Sequence, residues 1–452
     1  MLLIWLAENN RYNGFMKKYF IASLASFGII GAFWLSANFN IVNISGLWNK
    51  TPSQGLAQKE EKTNEPEKPR EKTKEELVAE ALEKSNNIKG VYMTAAVATD
   101  NGAASKRLRQ SLVDLVKTTE LNGIVIDIKE TDGVFLPESL KKFIEELHKD
   151  DIWVIARLVV FNDTVEAKAN PKIALKRING KLWLDRRGNG WLDPASQEAW
   201  DYIAGISKKA IDYGFDEIQY DYIRFPSDGD TKNIVYPVYK SKTTPKYVVL
   251  KSFFEYISKA LKEYKPSIIL SADLFGYVAT QANDLGVGQR IEDIGNSFDY
   301  ISFMLYPSHY YSGFQVPADS VRGLPAVYFP YRGKVVKDLA SNRPYEVVHR
   351  SLLFAMDILS GRVATSSLAG VNAKKMATST LIVRESEIKP LSKSRLRPWL
   401  QDFDLSADTS RGIKYDVEKV RAQIMASENA GASGWLLWNP SNVYTKEALQ
   451  LK

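Results

Sequence analysis

The stretch EIQYDYI at residues 217–223 is rich in β-branched and aromatic residues and carries Asp221 near its end. This composition is typical of a buried β-strand. A helical pattern, with apolar residues three and four positions apart, precedes it at 197–214, and a second one follows at 247–264. A strand enclosed between two amphipathic helices predicts an α/β fold with a parallel sheet.

The same alternation continues through residues 88–452. The segments predicted as strands are VYMTAAV (91–97), GIVIDIK (123–129), WVIARLVV (153–160), EIQYDYI (217–223), IILSADLF (268–275), YISFMLY (300–306), RPWLQDF (397–403) and GWLLWNP (434–440). No glycine-rich dinucleotide turn follows the first strand, so this pattern favours a closed (β/α)8 TIM barrel over a doubly wound sheet. Long segments at 161–195, 224–245 and 307–342 follow predicted strands three, four and six. They are predicted to be loop insertions on the face where barrel active sites lie.

Carboxylates stand at the ends of four predicted strands. They are Asp127, Asp221, Asp273 and Asp402 on strands two, four, five and seven, and Glu130 follows strand two closely. A carboxylate in an apolar strand is costly unless it is paired or lies at a mouth, so we expect a convergent acidic pocket. The alternative is that some of them form salt bridges with Lys129, Arg157 or Arg224. We expect Arg224 to keep Asp221 ionised.

Aromatic residues cluster at or after the same strand ends. Flat rings beside carboxylates suit sugars, because pyranose C–H faces stack on rings while acids and amides bind the hydroxyls. The candidate substrate-binding residues are Glu130, Arg224, Tyr222, Tyr306, His309, Trp399, Trp438 and Asn439. Rings that point into the barrel wall are core residues in the alternative interpretation.

The composition excludes several classes of chemistry. The chain has no cysteine and three histidines, which removes disulfides, thiolate zinc sites, iron–sulfur clusters and cysteine nucleophiles. A net charge of +7 over 452 residues is too dilute to indicate nucleic-acid binding. No phosphate-binding glycine loop or GxSxG elbow is present. We therefore expect neither a cofactor nor a metal.

The N-terminal region predicts a membrane anchor. No charged residue occurs from Tyr19 to Asn49, and Lys17 and Lys18 precede this stretch. Residues 19–42 are predicted to form a transmembrane signal-anchor helix, with residues 1–18 cytoplasmic and the barrel outside the membrane. A cleaved signal peptide, giving a secreted form, is the alternative. Translation could begin at Met1 or at Met16.

Residues 43–87 predict a linker. Their centre, QKEEKTNEPEKPREKTKEE at 58–76, is dense in Lys, Glu and Pro and has almost no apolar residues. Such a segment cannot bury enough surface to offset its ordering entropy, so we expect a disordered, extended spacer. A solvated helix over 72–84 is the alternative for its last part.

A family resemblance rests on a set of motifs in fixed order. The motifs are GIVIDIKETDG (123–133), ARLVVFND (156–163), GFDEIQYDYIRFPSDG (214–229), SADLFGY (271–277), ISFMLYPSHY (301–310) and RPWLQDF (397–403). Together they resemble a bacterial family of predicted glycoside hydrolases, TIM barrels related to the α-amylase and chitinase-like enzymes. The resemblance covers nearly all of residues 88–445, and it implies a carbohydrate substrate. Because the family is bacterial, the predicted membrane anchor implies a location at the bacterial cell membrane.

The resemblance also implies roles for single residues. Chitinase-like barrels carry D-x-x-D-x-D-x-E on strand four, but the position of the acid is Ile223 here, so substrate-assisted chemistry is not expected. Amylase-like barrels imply Asp221 as nucleophile or base and Asp273 as general acid, with Asp402 and Asp127 as supporting groups. This chain departs from amylases in having Asp rather than Glu on strand five. It also lacks the His that commonly follows the nucleophile.

Three hypotheses follow. The first is a membrane-anchored, extracytoplasmic glycoside hydrolase that cleaves an envelope or extracellular polysaccharide with two carboxylates, retaining or inverting according to their separation. The second is a non-catalytic carbohydrate-binding barrel, and Ile223 favours it. The third is a metal-dependent hydrolase using Asp127, Asp221, Asp273 and His309 around Mg²⁺ or Ca²⁺.

Overall fold

The computed structural model describes residues 70–281, 283–363 and 392–452. The predicted cytoplasmic segment 1–18, the predicted membrane span 19–42 and most of the predicted linker lie outside these residues. Within the described ranges, no helix combines the length and apolar character that crossing a bilayer requires.

A closed barrel of parallel strands forms the centre of the domain. Its strands are β1 (Ile88–Met93), β2 (Gly123–Glu130), β3 (Trp153–Val159), β4 (Glu217–Asp221), β5 (Ile269–Phe275), β6 (Tyr300–Met304), β7 (Trp399–Gln401) and β8 (Gly434–Trp438). Each strand pairs in parallel with the next one, and β8 pairs with β1, which closes the ring. The predicted (β/α)8 TIM barrel is confirmed.

Helices surround the barrel in sequence order. The labelled helices are α1 (Lys74–Lys84), α2 (Ala103–Thr118), α3 (Glu138–Lys149), α4 (Gln197–Asp212), α5 (Lys246–Tyr264), α6 (Ile291–Ile294), α7 (Pro344–Leu359) and α8 (Val417–Asn429). All of them except α6 have at least 11 residues. Short helices occupy Ala95–Thr99, Thr164–Ala169 and Ser406–Thr409. In α5, Phe253, Ile257 and Leu261 recur at four-residue spacing and are fully buried against the barrel.

Helix α1 falls in the segment for which the sequence left spacer or helix open. Thr73 accepts from Glu76 N, and Glu76 reaches back to Thr73 N, so a capping box starts the helix. None of the α1 residues is buried, as expected for a solvated helix. Just after it, the chain contacts the barrel, where Ser85 Oγ lies 2.9 Å from Tyr300 Oη.

Two predicted strands differ from the structure. The first ends at Met93, because Thr94 accepts from Val97 N and starts a short helix where the prediction continued the strand. The strand predicted at 397–403 is reduced to β7, preceded by a separate two-residue strand, Arg395–Leu396. Pro398 separates the two pieces since proline has no N–H to donate to the sheet.

The loop insertions lie at the carboxyl ends of the strands, as predicted. The insertions after β3 and β4 pair with each other through the antiparallel strands Lys176–Arg177 and Ile234–Val235. The insertion after β6 forms its own hairpin, in which Phe314–Val316 pairs with Val327–Phe329. These segments build the walls above the barrel mouth.

The opposite end of the barrel is closed by a buried ion pair. Arg397 Nη1 donates to both carboxylate oxygens of Glu217, at 3.0 and 2.8 Å, and both side chains are fully buried. Arg397 Nη2 also donates to Ser85 O at 2.9 Å, and Trp153 donates its indole N–H to Glu217. Four separate segments are thereby tied together beneath the barrel.

Candidate active site

Arg157 on β3 connects three carboxylates from three other strands. Its Nη1 donates to Asp127 Oδ1 on β2 at 2.5 Å, and its Nη2 forms a short ion pair with Asp221 on β4. Its Nε lies 3.5 Å from Asp273 Oδ2 on β5. Parallel strands end on the same face of the barrel, and Asp127 pairs in register with Arg157, so these side chains meet at the mouth.

The charges at this cluster do not balance, since one guanidinium faces three carboxyl groups. Burial, followed by the charge of Asp221, raises the pKa of Asp273 well above its usual value. Burial also raises the pKa of Asp127. Burial alone lowers the pKa of Arg157, but the charges of Asp127 and Asp221 outweigh it and hold that pKa well above normal. Asp273 is therefore the member of the cluster best placed to carry a proton.

Further donors fix the orientation of each carboxyl group. Tyr92 donates its hydroxyl to Asp127 Oδ2 at 2.5 Å, and Trp399 donates its indole N–H to Asp273 Oδ1 at 2.8 Å. The remaining oxygen of Asp273 has no hydrogen-bond partner among the described residues, apart from the ion-pair distance to Arg157. That oxygen is therefore the one that can carry a proton.

A strained turn after β4 supplies a hydrogen bond to Asp221. Tyr222 leaves β4 with a φ of 54°, a left-handed conformation that is unusual for an aromatic residue. In this conformation the backbone N–H of Tyr222 donates to Asp221 Oδ1 at 2.5 Å. Such strain persists where the surroundings enforce it and is frequent at functional sites.

A cavity of about 490 Å³ opens above the cluster. Asp221, Asp273 and Arg157 line its floor. Tyr306 and Trp438 stand on one side with their rings stacked 5.7 Å apart at 25°. An enclosed space with flat rings on its wall and carboxyl groups on its floor has the shape and chemistry of a sugar-binding site.

Most of the candidates from the sequence line this cavity. They are Asp221, Asp273, Tyr222, Arg224, Tyr306, His309, Trp399 and Trp438. Asp127 lies behind Arg157 and acts on the cavity through it. Glu130 lies near Asp127, outside the lining, and burial followed by the charge of Asp127 raises its pKa to about 7.

Asp402 and Asn439 are correctly placed at strand ends but do not join the cluster. Thr445 donates its N–H and its hydroxyl to the two oxygens of Asp402, at 2.8 and 2.7 Å. Asn439 donates to the backbone carbonyl of Asp402 and accepts from Ser441 N. Neither is among the described residues that line the cavity. Strand β7 stops at Gln401, so Asp402 has already turned away from the mouth.

The expected partner of Asp221 is also corrected. Arg224 was expected to keep Asp221 ionised, but the direct contact comes from Arg157. Arg224 instead donates to Phe225 O and Ser227 Oγ. The signal in the sequence was Arg157, a cation within the apolar strand WVIARLV. Its position predicted a salt bridge with a carboxylate but did not indicate which one.

The donor set of the metal hypothesis is not arranged as a metal site. Arg157 already places a positive charge among Asp127, Asp221 and Asp273, where a cation would sit. Throughout the described part of the chain, no group of three or more His, Asp or Glu side chains is positioned to hold a metal ion. Burial lowers the pKa of His309 to about 3, and its ring stacks on Tyr311.

A comparison with protein families gives one match that spans most of the chain. Residues 90–368 and 370–444 match the family described as "putative glycosyl hydrolase domain". None of the curated protein sequences compared with this chain matches it.

Solved structures similar to this chain include two glycoside hydrolase domains and a hypothetical protein. A hypothetical protein from Ruminiclostridium thermocellum ATCC 27405 is 31% identical, with a TM-score of 0.35, over 44% of this chain and 98% of its own. The PgaB (BpsB) glycoside hydrolase domain from Bordetella bronchiseptica is 14% identical, with a TM-score of 0.49, over 81% of this chain and 99% of its own. A variant of the PelA glycoside hydrolase domain from Pseudomonas aeruginosa is 10% identical, with a TM-score of 0.37, over 79% of this chain and 96% of its own.

Proposed function

We propose that this chain, which belongs to the family of putative glycosyl hydrolase domains, cleaves glycosidic bonds with two carboxyl groups. The family match covers residues 90–368 and 370–444. Such a reaction needs one acid to protonate the leaving oxygen and one carboxylate that acts as base or nucleophile. The cavity offers Asp273 and Asp221 for these two tasks.

The proton donor in this proposal is Asp273. Its buried position and the neighbouring charge of Asp221 keep the pKa of Asp273 well above normal, so the carboxyl group holds a proton when an ordinary aspartate has lost one. Trp399 holds one oxygen, which leaves the other to carry the proton towards the glycosidic oxygen. As the bond to the leaving group breaks, that proton moves to the departing oxygen.

Asp221 is the base or nucleophile. It receives hydrogen bonds from the Arg157 guanidinium and the Tyr222 backbone N–H, which fix the orientation of its two oxygens at the cavity floor. Arg157 also compensates the charge that develops when the proton leaves Asp273. A separation of about 5 Å between the two carboxyl groups in the substrate complex predicts retention, and roughly 6.5–9.5 Å predicts inversion.

One observation carries this proposal: Asp221 and Asp273 meet on one cavity floor, and burial with the charge of Asp221 raises the pKa of Asp273 well above its usual value. The experiment is to measure reducing-end release from a panel of envelope and extracellular polysaccharides with Asp273→Asn and Asp221→Asn. Each variant is expected to lose at least about 100-fold in kcat while remaining folded. Asp114→Asn, at an exposed position on α2, is the matched control. Full hydrolysis by Asp221→Asn would refute the assignment.

A non-catalytic sugar-binding barrel is the second candidate. The observation that favours it is Ile223, which occupies the acid position of chitinase-like barrels and is fully buried, outside the cavity lining. The same glycan panel decides between the two. Binding without any release of reducing ends supports this candidate, and hydrolysis that depends on Asp273 eliminates it.

For the whole chain, we propose that residues 19–42 anchor it in a bacterial cell membrane with the barrel on the outer side. The proposed substrate is an envelope or extracellular polysaccharide. The support is the uncharged stretch after Lys17 and Lys18. The experiment is to fractionate cells that make the full-length chain and to treat intact cells with protease. Recovery of the barrel in the cytoplasmic fraction would contradict the proposal, and release into the medium would indicate the cleaved form.

A further inference from the structure

Arg224 lines the cavity three residues after Asp221 and forms no hydrogen bond or ion pair with the described residues of the carboxylate cluster. Its side chain is half-buried, and it faces the same space as Asp221 and Asp273. The acid/base reaction described above gives it no task. An arginine held at this position is therefore a candidate for recognition of the substrate.

Three aromatic rings surround its guanidinium group. The Cζ atom of Arg224 lies 5.0 Å from the ring centre of Trp191, 5.1 Å from that of Tyr222 and 4.7 Å from that of Phe275. Contacts with ring faces hold a guanidinium by its charge and leave the N–H groups at its edge available. The rings thus fix the side chain in place without using its hydrogen-bonding capacity.

Only one side of the guanidinium is used within the described part of the protein. Nη1 donates to Phe225 O at 3.1 Å and to Ser227 Oγ at 3.2 Å. No described residue accepts a hydrogen bond from Nε or Nη2. These two nitrogens form the edge that binds a carboxylate with two parallel hydrogen bonds.

Among the described residues, no nearby acidic side chain forms an ion pair with Arg224, although the charges of Asp221, Asp228 and Asp185 partly oppose the lowering of its pKa by burial. Both oxygens of Asp185 accept hydrogen bonds from other donors. Oδ1 accepts from Arg187 N and Asn189 N at 2.9 Å. Oδ2 accepts from the side chains of Asn162 and Trp191 at 3.0 Å. Asp228 also faces this wall, and burial, followed by the charge of Asp185, raises its pKa. Neither lies within ion-pair distance of Arg224.

We propose that Arg224 forms a subsite for the carboxylate of a sugar acid, so that the glycan bound in this cavity carries a uronic-acid-type residue beside the scissile bond. This inference rests on the proposed glycoside hydrolase function. A carboxylate at this position supplies acceptors to the two unused nitrogens and a negative charge to the half-buried guanidinium. A neutral sugar offers hydroxyl acceptors but neither the negative charge nor the paired acceptor geometry of a carboxylate.

The test is a binding measurement with the full-length chain carrying Asp273→Asn, so that no hydrolysis disturbs it. Calorimetry compares a hyaluronan tetrasaccharide and an oligogalacturonide with their carboxyl-reduced counterparts. At least one carboxylated probe is expected to bind about tenfold or more tightly than its reduced form, the size of a charge-assisted bidentate contact. Arg224→Met is expected to remove this difference, and Arg224→Lys to retain part of it because lysine keeps the charge but loses the bidentate edge.

The matched control is Arg395→Met, an exposed arginine at the opposite end of the barrel, which is expected to leave the difference intact. Equal binding of carboxylated and reduced probes, failure of both carboxylated probes to bind, or discrimination that survives Arg224→Met overturns the inference.

The same measurements separate this inference from the proposed function. Arg224-dependent discrimination with no hydrolysis of any glycan in the panel supports the subsite and contradicts the enzyme. Hydrolysis of neutral glycans that depends on Asp273, without discrimination by Arg224, supports the enzyme and contradicts the subsite.

Discussion

Trp399 on β7 donates its indole N–H to Asp273 Oδ1 on β5 at 2.8 Å, and both side chains are buried. Strand β6 separates the two strands in the barrel, so this hydrogen bond crosses the interior above the barrel core. It stabilises the ionised form of Asp273 and therefore opposes the effects of burial and of Asp221 on its pKa.

Replacing Trp399 with phenylalanine keeps a ring and removes this donor. The pKa of Asp273 should then rise further, so the alkaline limb of the pH profile of kcat should move to higher pH. Trp435→Phe is the matched control, because the indole N–H of Trp435 has no hydrogen-bond partner in the described structure. An unchanged limb in Trp399→Phe would show that another group governs it.

The wild-type pH profile gives a separate prediction. A general acid works in its protonated form, and the pKa of Asp273 is raised, so activity should persist well above the pH at which an ordinary aspartate ionises. It should decline as the pH rises through the folded-state pKa of Asp273. The measurement is kcat on the best substrate from the panel between pH 4 and 9, about the range in which enzyme carboxyl groups titrate. In Asp273→Asn, the residual activity should lose this alkaline limb.

Replacing Arg157 with methionine should damage both activity and stability. Without the guanidinium, Asp127 and Asp221 lose their common partner, and we expect kcat to fall by about a hundredfold or more. The pKa of Asp127, which burial already raises, should rise further without Arg157, so the loss of unfolding free energy should be larger at high pH than at low pH. Urea titrations across this range provide the measurement, and a loss independent of pH would argue against the charge cluster.

Asp402 tests the distinction between a strand-end position and a site position. Because both of its oxygens bind Thr445, Asp402→Asn should change kcat less than about threefold, far below the effect of removing a catalytic group. Burial raises the pKa of Asp402 to about 6, from a usual 3.8. Relative to Asp402→Asn, the wild type should therefore lose stability as the pH rises from about 4 through 6. A large fall in kcat would restore its predicted catalytic role.

The ion pair beneath the barrel predicts a stability effect without a catalytic one. Arg397→Met leaves the Glu217 carboxylate buried without its partner, and Glu217→Met leaves the Arg397 guanidinium buried without its partner. Each change should therefore lower the unfolding free energy by about 3–5 kcal/mol. The double variant should recover much of this loss because no buried charge remains at this position. Chemical denaturation of the four proteins forms a double-mutant cycle, and additive losses would contradict the coupling. The kcat of the folded fraction should remain that of the wild type.

Comparison of the sequence with the structure shows why some site residues were predictable. Asp221 and Asp273 could be placed because parallel strands deliver their ends to one face, which is a property of topology rather than of detailed packing. Asp402 looked equivalent, but its strand stops at Gln401 and Thr445 binds its carboxylate. That contact joins residues 43 positions apart, and no local pattern encodes it.

The partners of the carboxyl groups were harder to assign for the same reason. Tyr92 reaches Asp127 from the neighbouring strand β1, and its role depends on which face of the barrel wall it points to. Arg157 and Arg224 were both sensible partners for Asp221 by position. Only the register between β3 and β4, where Val159 pairs with Asp221, brings Arg157 into contact.

The pairing of the two insertions, through Lys176–Arg177 and Ile234–Val235, has a consequence for motion. A loop that follows a single strand can open and close independently, whereas two loops joined by backbone hydrogen bonds share their displacements. The wall that carries Arg224 and Trp191 should therefore move as one body. The hairpin after β6 has its own strand pairing and can move separately from this wall, so the amides of the two walls should exchange their hydrogens with solvent at different rates.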